Sequence, residues 1–315
     1  LAILRGLYGL SQSGRCWWIE LDKQLKAMGF QPSDIDPCLY IRRREQTEED
    51  KRLGREGERT YLTCVVDDLV IASNRDPKTV IEGLDRRFAT KDLGEPQYCL
   101  GLKIERKKGK IWISQEAYIE KVARAFGVVE EAKMATRVNT PACHSVKLSA
   151  QDCIDYGEKR HPFPYRELVG SLLYACQSRP DIQYAVSVLT RFCKGPCKAH
   201  WKAAKRVLIY LYRTKHLKLC LGGSNVFLWG MSDSDWGGEN KNPSDQHRST
   251  SGGIIMLGAC AIAWHSRLQT FTSLSSTEAE YKAAAELAIG VRDDSTDPLP
   301  VGKRISKVYA LAKTW

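Results

Sequence analysis

Two rhythms of apolar residues alternate along this chain, a helical period of about 3.6 and a strand period of two, and the switches between them mark out the elements. In residues 15–28, Trp17, Trp18, Leu21, Leu25 and Met28 fall on one side of a helix that Gly29 stops. The rhythm then shortens, and Tyr61-Leu-Thr-Cys-Val-Val-Asp-Asp-Leu-Val-Ile-Ala72 reads as two short strands joined by a tight acidic turn. Residues 42–59 are mostly charged, carry Gly54 and Gly57, and read as a solvated hairpin loop. Residues 77–88 predict an amphipathic helix, and residues 100–105 and 110–114 a second hairpin around the basic turn Arg106-Lys-Lys-Gly109. A helix over residues 116–126 ends at Gly127.

Residues 139–163 break this order. They are polar, carry Pro141 and Pro162 and lack periodicity, which makes residues 139–164 the linker candidate. Three helical segments then run to about residue 216, interrupted at Pro180 and at Gly195-Pro196. The last has Trp201, Val207, Leu208 and Leu211 on its apolar face and Lys202, Lys205 and Arg206 on its basic one. The strand period returns at residues 226–235, 253–257 and 261–264, a helix opens at Ser275-Ser276-Thr277 and ends near Gly290, and a strand-like run follows at residues 305–311. The predicted fold class is α/β (α+β) in four parts: residues 1–138, the linker 139–164, a helical block 165–222 and a last domain 223–315.

With 315 residues and 43% hydrophobic content, the chain is long enough for two or three domains, each with its own core. Its formal charge of +11 favours a polyanionic partner, bound with strong salt dependence. No stretch approaches the roughly 18 apolar residues that a spanning helix needs, and no charged-then-apolar leader opens the sequence. The expectation is a soluble intracellular protein, cytoplasmic or nuclear, with no membrane partner. Eleven cysteines are scattered singly, and the close pair Cys193 and Cys197 straddles Gly195-Pro196 without a matching pair elsewhere, so reduced structural thiols fit better than zinc or disulfides. Serine, cysteine and the six dispersed histidines form no hydrolase constellation.

Carboxylates carry the candidate chemistry. Asp67 and Asp68 lie between β-branched runs, where burial is costly unless something offsets their charge, and a divalent metal is the natural partner. The plainer alternative is that Asp-Asp only makes the turn. Further on, a period of two puts Asp233 and Asp235 on the same face at a strand's end. If Ser275 caps the helix, Glu278 sits three residues on and closes a capping box, leaving Glu280 free; if Thr277 is the cap, the roles swap.

Several strings, in order, extend this reading. Leu7-Tyr-Gly-Leu-Ser-Gln-Ser-Gly-Arg-Cys-Trp-Trp18, Asp36-Pro-Cys-Leu-Tyr40, the acidic hairpin and Asp92-Leu-Gly-Glu-Pro-Gln-Tyr-Cys-Leu-Gly-Leu-Lys-Ile-Glu105 together resemble the reverse transcriptase of copia-type LTR retrotransposon Pol polyproteins. Tyr165-Arg-Glu-Leu-Val-Gly-Ser-Leu-Leu-Tyr174, Arg179-Pro-Asp-Ile182 and His200-Trp-Lys-Ala-Ala-Lys-Arg-Val-Leu208 resemble its connection region. Ser232-Asp-Ser-Asp-Trp236, Ser249-Thr-Ser-Gly252 and Ser275-Ser-Thr-Glu-Ala-Glu-Tyr281 resemble its ribonuclease H domain, so the likeness reaches about residue 290.

The resemblance implies a partial palm and thumb in residues 1–138, a helical connection and a truncated ribonuclease H-like fold. It implies an RNA-directed DNA polymerase whose Asp67 and Asp68 hold Mg²⁺ (or Mn²⁺), and a ribonuclease H region whose metal ligands are Asp233 and Glu280. An RNA template, a DNA primer or an RNA/DNA hybrid would be the partner, with Lys103, Arg106, Lys107 and Lys108 beside the primer strand. Val65 stands where the family has an aromatic residue. The resemblance also expects one more Asp on a strand before Leu1, and another Asp strand and a last acid after residue 290. Glu20 and Asp22 lie in the helical stretch, Asp293, Asp294 and Asp297 in a Pro-bearing loop, and residues 305–311 hold no acid. A fragment short of ligands at each site is therefore expected, weak or inactive in isolation. The rivals are a non-catalytic nucleic-acid-binding remnant and a remnant whose sheet, left with an unpaired edge, does not fold stably.

Overall fold

The structure, a computed structural model, describes residues 12–143, 146, 148–149, 163–223, 227–237, 247–291 and 307–313. Helices and strands are mixed, and the chain divides into two compact units, Leu1–Cys99 with Ser295–Trp315, and Leu100–Asp294. Most of the expected linker 139–164 lies outside the described residues. The observed division at residue 99/100 falls earlier than the expected 138/139. The reason is packing: Ile119, Val122 and Ala123 of the helix Glu116–Ala125 share a core with Tyr165, Leu168 and Val207 of the later helices.

In the first unit six strands form one sheet in the order Gln31–Pro32, Leu39–Arg44, Glu58–Val65, Asp68–Ser73, Lys307–Lys313, Thr90–Asp92. All neighbours are antiparallel. Leu62, Cys64, Leu69 and Ile71 recur at the period of two and are buried with Leu21 and Leu25 of the helix Ser13–Ala27 and with Val80 and Leu84 of the helix Lys78–Phe88. Trp17 and Met28 pack at the margin of this core, whereas Trp18, expected on the same side, is 36% exposed.

One expectation needs correction. The charged stretch 42–59 is not one solvated loop. It contains the helix Glu48–Arg52, because Thr47 Oγ1 accepts from the Asp50 amide at 3.1 Å and Asp50 Oδ2 accepts from the Thr47 amide at 3.2 Å. Arg42 is buried and paired with Glu58. Beside Asp68–Ser73 the sheet continues with the strand Lys307–Lys313, which the sequence grouped with the last domain, and its edge strands are Gln31–Pro32 and Thr90–Asp92.

The second unit holds an antiparallel hairpin, Leu102–Lys107 with Lys110–Ser114, joined to Leu219–Leu221. Its turn residues Lys108 and Gly109 both have positive φ, 50° and 73°, the pattern of the two-residue turn whose twist suits a hairpin. The helices Tyr165–Ala175, Gln183–Thr190 and Lys198–Arg213 bury Leu168, Leu172, Val186, Leu189, Leu208 and Leu211 together. At their ends the buried Arg179 grips Asp181 with Nε and Nη2 at 2.9 and 2.7 Å and donates to the Thr214 carbonyl at 3.0 Å. Tyr210 Oη also donates to Asp181, at 2.7 Å. Three more strands, Leu228–Asp235, Thr250–Leu257 and Cys260–Leu268, form an antiparallel sheet. The helix Ser276–Val291 lies against it where Gly230 and Gly253 leave room for Leu287; a Cβ at Gly230 would stand 2.8 Å from Leu287 Cδ2.

Burial pushes the Asp181 carboxyl up, but its bonds to Arg179 and Tyr210 outweigh this and hold it below the usual range. A depressed carboxylate contributes stability at pH values above its unfolded pKa and loses it as pH falls through the folded one. Arg179→Leu is expected to lower stability by about 1–2 kcal/mol at neutral pH, because it removes the buried guanidinium's bonds to Asp181, whose side chain is 35% exposed and so partly screened by water, and to the Thr214 carbonyl. Urea unfolding at pH 7 and at about pH 2.5 checks this, and the loss is expected to shrink as pH falls below the ordinary aspartate value and through the lowered one.

Candidate functional site

The acidic hairpin turns at Val66 and Asp67, and Asp68 already belongs to the returning strand, paired with Val65. The turn is thus Val-Asp rather than Asp-Asp. Neither carboxylate is buried: Asp67 is half-exposed and Asp68 exposed. Val66 sits at φ 56°. A β-branched residue resists that left-handed conformation, which costs on the order of 1–3 kcal/mol and persists only where surroundings impose it. Here the Trp17 indole donates to the Val66 carbonyl at 3.0 Å, and the Cys64 thiol donates to the same oxygen at 3.6 Å. Trp17 is itself held edge-on against Phe88 at 4.8 Å.

The two aspartates colour their surroundings. Burial pushes the Cys64 thiol up to about 11, with Cys38 and Asp67 adding to it, and burial followed by the Asp68 charge pushes Cys99 up. Reading the chain alone missed Trp17, Cys64 and Cys99 as neighbours of the tip. Only the alternation of Cys64 with Val66 could have suggested one of them.

In the second unit the strand Leu228–Asp235 places Asp233 and Asp235 on one face, both exposed, at register positions opposite Gly252 and Thr250. The helix Ser276–Val291 brings Glu280 to this strand, where its Oε1 accepts from the Ser234 amide at 3.2 Å, between the two aspartates in sequence. Glu278 is spent elsewhere. Ser275 Oγ accepts from the Glu278 amide at 3.1 Å, Glu278 Oε2 accepts from the Leu274 amide at 2.7 Å, and Lys282 lies 2.8 Å from the carboxylate. The Lys282 bond and then the Leu274 bond hold the Glu278 carboxyl below its ordinary range.

Of the four cations expected along the basic hairpin, Lys107 and Lys108 are exposed near its tip and Arg106 is half-buried. Lys103 is paired with Glu105 at 2.8 Å, and Glu105 also binds Lys218, so these two lysines hold its carboxyl down to about 2. Glu105 was visible as the strand neighbour of Lys103 two residues away, whereas Lys218 comes from a distant segment. Among the described residues no group of three or more His, Cys, Asp or Glu gathers as a metal cage. Each cluster offers hard oxygen donors of the kind Mg²⁺ accepts through one or two carboxylates while keeping several waters. No described helix is long and apolar enough to cross a membrane.

Residues 2–140 match the family described as reverse transcriptase (RNA-dependent DNA polymerase). The chain is 38% identical over 289 residues to the retrovirus-related Pol polyprotein from transposon TNT 1-94 of Nicotiana tabacum, covering 90% of this chain and 20% of that protein. It is 35% identical over 286 residues to the corresponding polyprotein from transposon RE1 of Arabidopsis thaliana, covering 89% and 18%. Against a transposon Ty5-1 protein of Saccharomyces cerevisiae it is 32% identical over 295 residues, covering 91% and 88%. The chain thus spans about a fifth of the length of the first two relatives. No solved structure matches it.

Three substitutions separate geometry from chemistry. Val66→Gly is expected to raise stability by roughly 0.5–1 kcal/mol, since glycine adopts positive φ without strain; a chemical-denaturation midpoint that falls would refute the strained turn. Glu278→Ala is expected to lower the thermal midpoint through the lost helix cap, whereas Glu280→Ala should leave that midpoint close to the parent's, as surface changes do.

Proposed function

This chain belongs to the copia-type retrotransposon Pol family, and we propose from that membership that it is a nucleic-acid-copying portion of such a polyprotein, acting inside the cell. The observation that carries the reading is the strained tip of the hairpin Glu58–Ser73, which holds Asp67 and Asp68 out at the solvent within the residues that match the reverse transcriptase family. In this reading the first unit is part of a polymerase palm, and the segment with Asp233 and Glu280 is a ribonuclease H-like region. A divalent cation, Mg²⁺ or Mn²⁺, would be held by Asp67 and Asp68, and another by Asp233 and Glu280; when bound it neutralises phosphate oxygens and orients them.

The chain's own residues then divide the work. Trp17 fixes the Val66 carbonyl and so the direction in which Asp67 and Asp68 face. The Ser234 amide orients Glu280 beside the Asp233 strand. Lys107 and Lys108, exposed at the basic turn, meet the backbone of a DNA primer or an RNA/DNA hybrid, with Arg106 beside them and Lys103 tempered by Glu105. With two carboxylates at the hairpin tip, extension of a DNA primer on an RNA template is expected to be weak or absent in this chain. A template-primed assay with Mg²⁺ tests this: robust synthesis abolished by Asp67→Asn would show that two carboxylates suffice, while synthesis unchanged by Asp67→Asn and by Asp68→Asn would remove the site from the reading.

A second reading, a nucleic-acid binder without catalysis, is favoured by the net charge of +11 and by Lys107 and Lys108, exposed at the basic turn. Hybrid binding measured against salt separates the two. The Lys107→Ala and Lys108→Ala changes are each expected to reduce the log–log salt slope by about one unit, and binding that survives Asp68→Asn with Asp233→Asn in a chain lacking both activities would favour the binder.

A further inference from the structure

The strand Lys307–Lys313 occupies an interior place in the sheet of the first unit, although 238 residues separate Leu69 from Lys307 in the sequence. On one side its register runs from Lys307 opposite Ser73 to Ala312 opposite Asp68; on the other, Leu311, Ala312 and Lys313 pair with Asp92, Lys91 and Thr90. Its neighbour's segment Leu69-Val-Ile-Ala72 is apolar and β-branched. Left as an edge, such a strand would present a row of unpaired amides and carbonyls, the arrangement that invites pairing with another chain. The short strand Thr90–Asp92 would lose its partner as well. The tail sequence Lys307-Val-Tyr-Ala-Leu-Ala-Lys313 confines its charge to the two ends, which suits a strand paired on both sides.

The place is separable from the rest of the sheet. Fifteen residues of sequence, 292–306, separate the helix Ser276–Val291 from Lys307. Joined in one chain over so short a sequence, the strand meets its place at an effective concentration on the order of millimolar, which favours docking within one chain and still permits replacement by the same strand from another. We propose that the interior place between Asp68–Ser73 and Thr90–Asp92 is a strand-acceptor slot, filled in the single chain by Lys307–Lys313 and exchangeable with the same strand of a second copy. Main-chain hydrogen bonds supply the affinity and apolar alternation the register. Because the tail puts Ala312 opposite Asp68, it pairs the backbone of the acidic hairpin without adding a carboxylate at that position. The slot therefore couples the folding of this sheet to a segment that is distant along the chain.

The test uses the full-length chain and its Leu311→Pro variant, since proline cannot donate within a central ladder, with a labelled synthetic peptide of residues 305–315. The variant is expected to bind the peptide at least roughly 10-fold more tightly than the parent, whose own tail competes. Peptide binding should also restore slow hydrogen exchange to the amides of residues 69–72 in the variant. Equal peptide binding by the two chains, or equal exchange at residues 69–72 without peptide, would overturn the proposal. Should the variant unfold as a whole, the Ala72→Cys/Val308→Cys chain decides: mild oxidation is expected to link the pair within one chain when dilute and between chains when concentrated. Failure to form that link in either condition overturns the proposal too.

Discussion

Six residues of backbone, Asp68 to Ser73, must be hydrogen-bonded on both sides, and the position of the acidic tip follows from that requirement. One side is met by Glu58–Val65 across a two-residue turn, the other by Lys307–Lys313. With both flanks paired, the start of the strand cannot slip by a residue without turning Leu69 and Ile71 out of the core, where both are buried. Asp68 is thereby fixed at the strand's first position and Asp67 in the turn. The cost appears at Val66, whose left-handed backbone is imposed by the turn's brevity and secured by Trp17. Strain of this kind persists only where the surroundings impose it, and here it lies beside two aspartates, one half-exposed and one exposed.

The distribution of charge points the same way. Several carboxylates are committed to cations that hold them ionised: Glu105 between Lys103 and Lys218, Asp181 in the grip of Arg179, Glu278 against Lys282. These serve packing and capping. Asp68, Asp233, Asp235 and Glu280 instead stay exposed, on a hairpin tip or where a strand meets a helix. These acids lie at ordered positions of a strand or helix in a chain whose net charge is +11. Glu278 and Glu280 show how narrow the distinction is. Two residues of helix separate them, about 200° of rotation, so one turns back to the helix start and the other to the strand.

Much of this was legible in the sequence. Helical spacing of Leu21 and Leu25, the alternation of Leu62, Cys64, Leu69 and Ile71, and the string Ser275-Ser-Thr-Glu278 each specify local geometry through neighbours a few residues away. Local rules also show why the charged stretch was misjudged as all loop. Thr47 and Asp50 form a capping box in a segment too polar to show a helical apolar stripe, and Arg42 is buried with its guanidinium paired to Glu58, which lies diagonally across the hairpin, two register positions on.

What the sequence by itself determined is the list of elements, the acids and their order, since period, caps and turn residues act over one or two turns of chain. Tertiary structure alone decided that Lys307–Lys313 closes the sheet beside Asp68, that Lys218 tempers the basic hairpin, and that Trp17 locks the acidic turn. Each of these joins residues tens to hundreds of positions apart, and backbone hydrogen bonding carries no sequence label: any strand of suitable length and polarity meets the same ladder, so only the folded chain settles which one arrives.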